Sequence, residues 1–76
     1  MDLEQIKRKI TAAIPDAKVQ VRDLTGTGDH FEVHVASGAF AGRTRLEQHR
    51  MIYAALGEDM AGPIHALAIR TEVPHV

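Results

Sequence analysis

The most constraining feature of this sequence is a pair of alternating segments on either side of a short glycine-rich stretch. Apolar and polar side chains alternate in residues 18–24 and again in residues 31–36. Such alternation is typical of strands with one buried and one exposed face. The intervening residues 25–29 read Thr-Gly-Thr-Gly-Asp, which is short enough to join the strands as an antiparallel hairpin. The chain must therefore cover one face of this hairpin.

Two amphipathic helices are predicted, one on each side of the hairpin in the sequence. Residues 2–14 carry apolar side chains at helical spacing, and Asp2 is placed to cap the first turn. A second helix is predicted to begin after Thr44, with Glu47 as its capping-box partner, and to stop at Gly57. Their apolar faces can cover the hairpin.

The predicted order is helix, strand, strand, helix, a short helical turn over residues 58–61, and a third strand over residues 64–71. A helical crossover usually leaves its two strands parallel in one sheet. We therefore expect an α+β fold over residues 1–76, one domain with a three-stranded mixed sheet and helices on one face. The predicted core consists of Leu3, Ile6, Ile10, Val19, Val21, Phe31, Val33, Val35, Leu46, Leu56, Leu67 and Ile69.

Composition excludes several classes of protein. The 76 residues include no Cys, so the chain has no disulfides and no thiolate to offer a metal or a substrate. The formal charge of −1 excludes a globally basic nucleic-acid binder, although a local basic patch remains compatible with it. No apolar run reaches the ~18–20 residues of a membrane span, and no signal peptide is visible. A cytoplasmic location without membrane contact is the expectation.

Three segments together resemble a known family. They read GDHFEV in residues 28–33, RLEQHRMIYAALG in residues 45–57 and IHALAI in residues 64–69. In this order and spacing they resemble the BolA family of small proteins, over essentially the whole chain. The resemblance implies a fold like a class II KH domain, which agrees with the predicted order of helices and strands.

The resemblance also implies two activities. One is partnership with a monothiol glutaredoxin, in which a bridging [2Fe–2S] cluster is shared or the apo proteins associate. In the shared cluster the glutaredoxin supplies its own Cys and glutathione. The other is DNA binding and transcriptional control through a helix-turn-helix-like segment. Many relatives carry a cysteine or a ligand histidine in the hairpin loop; Thr27 stands in the cysteine's place here.

Two histidines are the candidate metal ligands. Imidazole suits iron, and His replaces Cys in some [2Fe–2S] centres. The resemblance identifies His65 as the family's cluster-ligand histidine, whereas the residue alone also fits a strand-end histidine bonded to backbone. His30 would approach His65 if the second and third strands are parallel neighbours. The alternative is that His30 only starts a strand, with Asp29 setting its tautomer.

A basic group lies at the start and middle of the second predicted helix. It consists of Arg43, Arg45, His49 and Arg50. Arginines on a helix can contact phosphates, and such a helix can enter the major groove of DNA. The same group could meet glutathione carboxylates or an acidic glutaredoxin face, or be an ordinary solvated helix face.

No catalytic set is visible, because the carboxylates are scattered and Ser37 stands alone in a turn. The preferred hypothesis is a non-enzymatic binding module, a monomer or weak dimer when free, that shares a cluster with a monothiol glutaredoxin in iron–sulfur trafficking or in iron or redox regulation. The rival hypothesis is a DNA-binding regulator that uses residues 43–56.

Overall fold

A computed structural model describes residues 1–74 of the chain, which form two α-helices, three strands and two short 3₁₀ helices. The elements are α1 (Leu3–Ala13), β1 (Lys18–Asp23), β2 (His30–Ala36), a 3₁₀ helix (Gly38–Phe40), α2 (Arg45–Leu56), a second 3₁₀ helix (Gly57–Ala61) and β3 (Ala66–Glu72). The predicted order of elements is confirmed.

The three strands form one mixed sheet in the order β1-β2-β3. β1 pairs antiparallel with β2 through the glycine-rich loop, and β3 pairs parallel with β2 after the crossover through α2. The α+β architecture expected from the sequence is therefore confirmed. The likeness to class II KH domains stays a prediction.

Both helices begin with the predicted caps. The Asp2 carboxylate accepts a hydrogen bond from the Gln5 backbone at 2.8 Å, and the Gln5 side chain accepts one from the Asp2 backbone at 2.9 Å. Thr44 and Glu47 form the same reciprocal pair at 3.1 and 2.9 Å. Gly57 ends α2 with φ of 54°, a conformation that costs glycine little. Local sequence therefore sets these ends.

The core lies between the helices and one face of the sheet. Its members are Ile6, Ile10, Ile14, Phe31, Val33, Val35, Phe40, Ile52, Leu56 and Ile64. The central strand β2 has neighbours on both sides, so its inward residues are fully buried, whereas those of the edge strands β1 and β3 are half-buried. Val19, Val21, Leu67 and Ile69 therefore border the core that they were predicted to form.

Two predicted core residues are exposed. Leu3 is 39% exposed in the first turn of α1, and Leu46 is 59% exposed. The inward row of α2 runs through Gln48, Ile52 and Leu56, and Leu46 lies about 120° around the helix from Ile52. The first residue of this row, Gln48, is polar, and its side-chain amide donates to backbone carbonyls. A search for apolar residues at helical spacing therefore does not detect the inward face of α2. Leu46 was therefore assigned to the wrong face.

Tyr53 is another exposed apolar residue of α2, with 42% of its surface accessible. The third strand begins two residues later than predicted. The Ile64 backbone N–H donates to the Asp59 carbonyl at 2.8 Å, which keeps Ile64 in the preceding turn.

Neither helix of the described part has the length and apolar composition that crossing a bilayer requires.

Candidate functional site

The parallel pairing of β2 with β3 brings the two candidate histidines together. His30 opens β2 and lies opposite Ala66, the first residue of β3. His65 directly precedes Ala66, so both imidazoles lie at the same end of neighbouring strands. Their ring centroids are 5.1 Å apart and the ring planes are tilted by 53°. The approach that the sequence predicted for parallel strands is therefore present.

Asp29 accepts hydrogen bonds from both histidines. Its backbone carbonyl accepts hydrogen bonds from the backbone N–H groups of His65 at 2.7 Å and Ala66 at 3.1 Å. Its carboxylate accepts a hydrogen bond from His30 Nδ1 at 2.8 Å. With Nδ1 donating, Nε2 of a neutral His30 ring carries the free lone pair that a metal needs. The proposed tautomer-setting role of Asp29 thus extends to positioning His65.

Thr27 contributes to the same network. Its hydroxyl donates to the Asp29 carboxylate. This hydrogen bond, followed by the one from His30, lowers the pKa of Asp29 to about 2. The favourable contribution of this carboxylate to stability is present above its unfolded pKa and is lost as the pH falls through about 2. Thr27 therefore supports the site through Asp29, a role that sequence analysis did not find.

The two rings are accessible from outside. His65 is exposed, and the His30 side chain is 34% exposed. Among residues 1–74 the His65 ring makes no hydrogen bond, although its backbone N–H does. The interpretation of His65 as a ring satisfied by backbone therefore has no support in the described contacts.

The described residues offer only part of a ligand set. No group of three or more His, Asp or Glu side chains within residues 1–74 is arranged to hold a metal ion. A tetrahedral metal with nitrogen ligands at about 2.0–2.1 Å places two imidazole centroids about 5 Å apart. The observed centroid spacing of 5.1 Å matches that of two ligands on one metal, and residues 1–74 offer no third ligand beside them.

We expect the loss of the Asp29 carboxylate to change the His30 ring specifically. In Asp29→Ala the Nδ1–H loses its acceptor, so neutral His30 should redistribute between its two tautomers. Ring nitrogen shifts from long-range ¹H–¹⁵N spectra measure this change. Glu72→Ala is the matched control, because Glu72 contacts His34 Nε2 at 2.8 Å and should alter only that ring. An unchanged His30 tautomer in Asp29→Ala would contradict the assigned role.

The predicted basic group divides into two parts. Arg43 donates through Nε to the Ala39 carbonyl at 3.1 Å. Hydrogen bonding with Thr44 holds the pKa of Glu47 below its usual range, and the charges of Arg43 and Arg50 lower it further. Two of the four basic residues therefore lie near enough to an acidic side chain to act on its charge.

The other two basic residues face the edge of the sheet. Arg45 and His49 line a groove of about 360 Å³ together with residues 69–71 of β3. Arg70 lies in this segment and adds a third basic side chain, which sequence analysis missed. Only the crossover topology, which places α2 beside β3, could have indicated it.

The chain is similar along nearly its whole length to proteins of one family. A family model described as BolA-like protein matches residues 3–75. BolA-like protein 1 of Pongo abelii is 38% identical, over 91% of this chain and 56% of that protein. The chain thus spans about half the length of this relative and of its bovine, mouse and human counterparts.

Two further comparisons cover more of the related protein. The DNA-binding transcriptional regulator BolA of Escherichia coli is 36% identical, over 90% of this chain and 71% of that protein. The structure of a bolA protein homologue from Coxiella burnetii superposes with a TM-score of 0.82 at 36% identity, over 97% of this chain and 92% of that chain. Sequence and fold agree, and the chain belongs to the BolA-like protein family.

Proposed function

We propose that this chain is a non-enzymatic partner of a monothiol glutaredoxin and shares a bridging [2Fe–2S] cluster with it. The observation that carries the proposal is the pair of accessible imidazoles, 5.1 Å apart, without a third protein ligand in the described residues. Two His ligands on one iron of a [2Fe–2S] centre are chemically established in proteins. The task would be iron–sulfur trafficking or iron and redox regulation.

The two proteins would contribute complementary ligands. The glutaredoxin would supply its Cys and glutathione, and this chain would supply His65 and His30. The Asp29 network fixes one end of both histidine-bearing segments before a partner arrives, which reduces the ordering that binding requires. Thr27 offers a hydroxyl and no thiolate, so we expect a cluster more labile than in relatives with a loop cysteine.

The test is anaerobic cluster reconstitution of a monothiol glutaredoxin with and without this chain. In a shared cluster, imidazole ligands replace some of the thiolate ligands. The visible circular dichroism should therefore change in proportion to the added chain, up to one chain per cluster. Size-exclusion chromatography of the same samples should show a heterodimer that carries the visible absorbance. A spectrum that does not respond to the chain would contradict the proposal.

DNA binding is the second candidate function, and the groove lined by Arg45 and His49 next to Arg70 supports it. The similarity to an Escherichia coli protein named as a DNA-binding transcriptional regulator points in the same direction. Basic side chains that contact phosphates release counterions, so such binding weakens steeply as salt rises.

Replacing Arg43, Arg45 and Arg50 with Ala should weaken any duplex binding and flatten its salt dependence. Each lost phosphate contact should reduce the slope of log K against log salt by about 0.9. Fluorescence anisotropy of a labelled duplex over a salt series measures both quantities. Lys18→Ala with Arg22→Ala, on the open face of the sheet, is the control. Equal binding by the triple variant and the parent would place DNA contact elsewhere or exclude it.

A further inference from the structure

β3 is an edge strand whose outer side is unpaired in the described structure. Its inner side bonds to the neighbouring segment: the Ala66 N–H donates to Asp29 and the Glu72 carbonyl accepts from Ser37. In a parallel ladder the residues that bond to one neighbour alternate with residues that face away from it. The N–H and C=O groups of Leu67, Ile69 and Thr71 therefore point to the outer edge, where residues 1–74 provide no backbone partner.

This edge has few of the features that usually protect an edge strand from pairing. Natural sheets place charged residues, lysine above all, or proline, a bulge or a covering segment on such edges. The charged residues of β3 are Arg70 and Glu72. β3 contains neither lysine nor proline over Ala66–Glu72, and its register with β2 runs without a bulge over all seven residues. The neighbouring helix α2 leaves the groove of about 360 Å³ between itself and the edge. An added strand therefore has both backbone partners and room.

The surroundings of the edge are basic. Arg45 and His49 lie on the helix side of the groove, and Arg70 projects to the open side of the sheet. None of the three forms an ion pair with an acidic side chain within residues 1–74. Glu72, the nearest acidic residue along the strand, pairs with His34. A strand bound here would meet positive charge on both of its faces.

A second copy of this chain is a poor occupant of the edge. If two copies paired their β3 strands about a two-fold axis at Ile69, the centre of the edge, the two Arg70 side chains would be diagonal neighbours on one face. Arg45 and His49 of both copies would lie along the other face, so like charges would be brought together. The charge of the groove therefore favours an acidic segment over self-association.

We propose that the outer edge of β3 binds an extended acidic segment of a partner protein by strand addition. The segment pairs its backbone with Leu67, Ile69 and Thr71. Its acidic side chains face Arg45 and His49 on one side and Arg70 on the other. The centre of the edge, at Ile69, lies about 13 Å along the strand from His65. This surface is thus separate from the histidine pair and does not rest on the proposed cluster function.

The test uses a seven-residue acetylated and amidated peptide, Val-Glu-Glu-Val-Glu-Glu-Val, which presents Glu on both faces of an extended strand. Amide hydrogen exchange of the ¹⁵N-labelled protein is followed by NMR with and without saturating peptide. Exchange should slow by about tenfold or more at Leu67, Ile69 and Thr71, because these amides gain acceptors. The amides of Ala68 and Arg70 already bond to β2 and should change little.

Two control peptides separate strand addition from charge attraction. The same peptide N-methylated at residues two to six keeps its charge, but it loses the N–H donors of those residues and its methyl groups prevent close pairing with another strand. Val-Lys-Lys-Val-Lys-Lys-Val reverses the charge. Neither should slow the alternate amides. Arg45→Glu combined with Arg70→Glu should weaken binding of the acidic peptide about tenfold or more, whereas Lys18→Glu should change it by less than about twofold.

Four results would overturn the proposal. The first is that the N-methylated peptide slows amide exchange in β3 as much as the parent peptide, and the second is that exchange slows equally at all β3 amides. The third is that protection of these amides rises with protein concentration in the absence of peptide. The fourth is that an oligonucleotide protects them and the acidic peptide does not. The third result would assign the edge to a second copy, and the fourth would assign it to nucleic acid.

Discussion

Replacing His65 with alanine should abolish or strongly alter the visible circular dichroism of the cluster shared with a monothiol glutaredoxin. The fold should remain, because the His65 ring is exposed and makes no hydrogen bond within residues 1–74, and the backbone N–H that bonds to Asp29 is kept. Loss of a ligand should nevertheless weaken the bridged complex strongly, since only two ligands are available from the described residues. Titration of cluster-loaded glutaredoxin with parent and variant measures the effect.

Two other histidine variants serve as comparisons for His65→Ala. His30→Ala should have a smaller effect, because a loop group or water can replace a ligand at the mouth of the hairpin. His34→Ala removes an imidazole from the open face of the sheet, where it pairs with Glu72, and should leave the spectrum unchanged. A heterodimer spectrum that His65→Ala does not alter would contradict the ligand assignment and leave DNA binding as the stronger candidate.

The second large effect concerns the core. Ile10→Ala should lower the free energy of unfolding by about 2–5 kcal/mol, because Ile10 is fully buried between α1 and the sheet and its truncation leaves a cavity. Leu46→Ala removes a side chain of similar size from an exposed site and should cost no more than about 0.5 kcal/mol. Urea unfolding followed by far-UV circular dichroism gives both values.

A small domain can lose most of its stability through one such truncation, so Ile10→Val provides a graded variant. It should cost about 0.5–1.5 kcal/mol and leave a measurable transition. Equal losses for Leu46→Ala and Ile10→Ala would show that the faces of the helices are assigned wrongly.

Much of the fold could be predicted because the controlling interactions are local. Alternation identified β1 and β2, the caps at Asp2 and Thr44 set the helix starts, and the crossover rule gave the parallel pairing of β3. The prediction failed for Leu46, because the inward row of α2 begins with Gln48, whose amide donates to the Phe40 and Arg43 carbonyls in the turn before the helix. Hydropathy alone cannot identify a buried polar contact of that kind.

The candidate site was predictable to a lesser degree. The family resemblance pointed to His65, and the topology brought His30 beside it. The roles of the Asp29 carbonyl and the Thr27 hydroxyl depend on hydrogen bonds that form only in the folded loop. Likewise, i,i+4 spacing places Arg45 and His49 on one face of α2, but only the folded structure shows that this face lines the groove beside β3.

The parallel pairing of β2 with β3 makes the histidine pair conditional on the docking of the last strand. His30 and His65 are thirty-five residues apart in the sequence, so any excursion that detaches β3 separates the rings. A ligand that requires both rings therefore binds the closed sheet alone and stabilises it by mass action, by about 2.7 kcal/mol at a concentration one hundred times its Kd. Conversely, detachment of this strand would separate the two rings and release whatever they jointly hold.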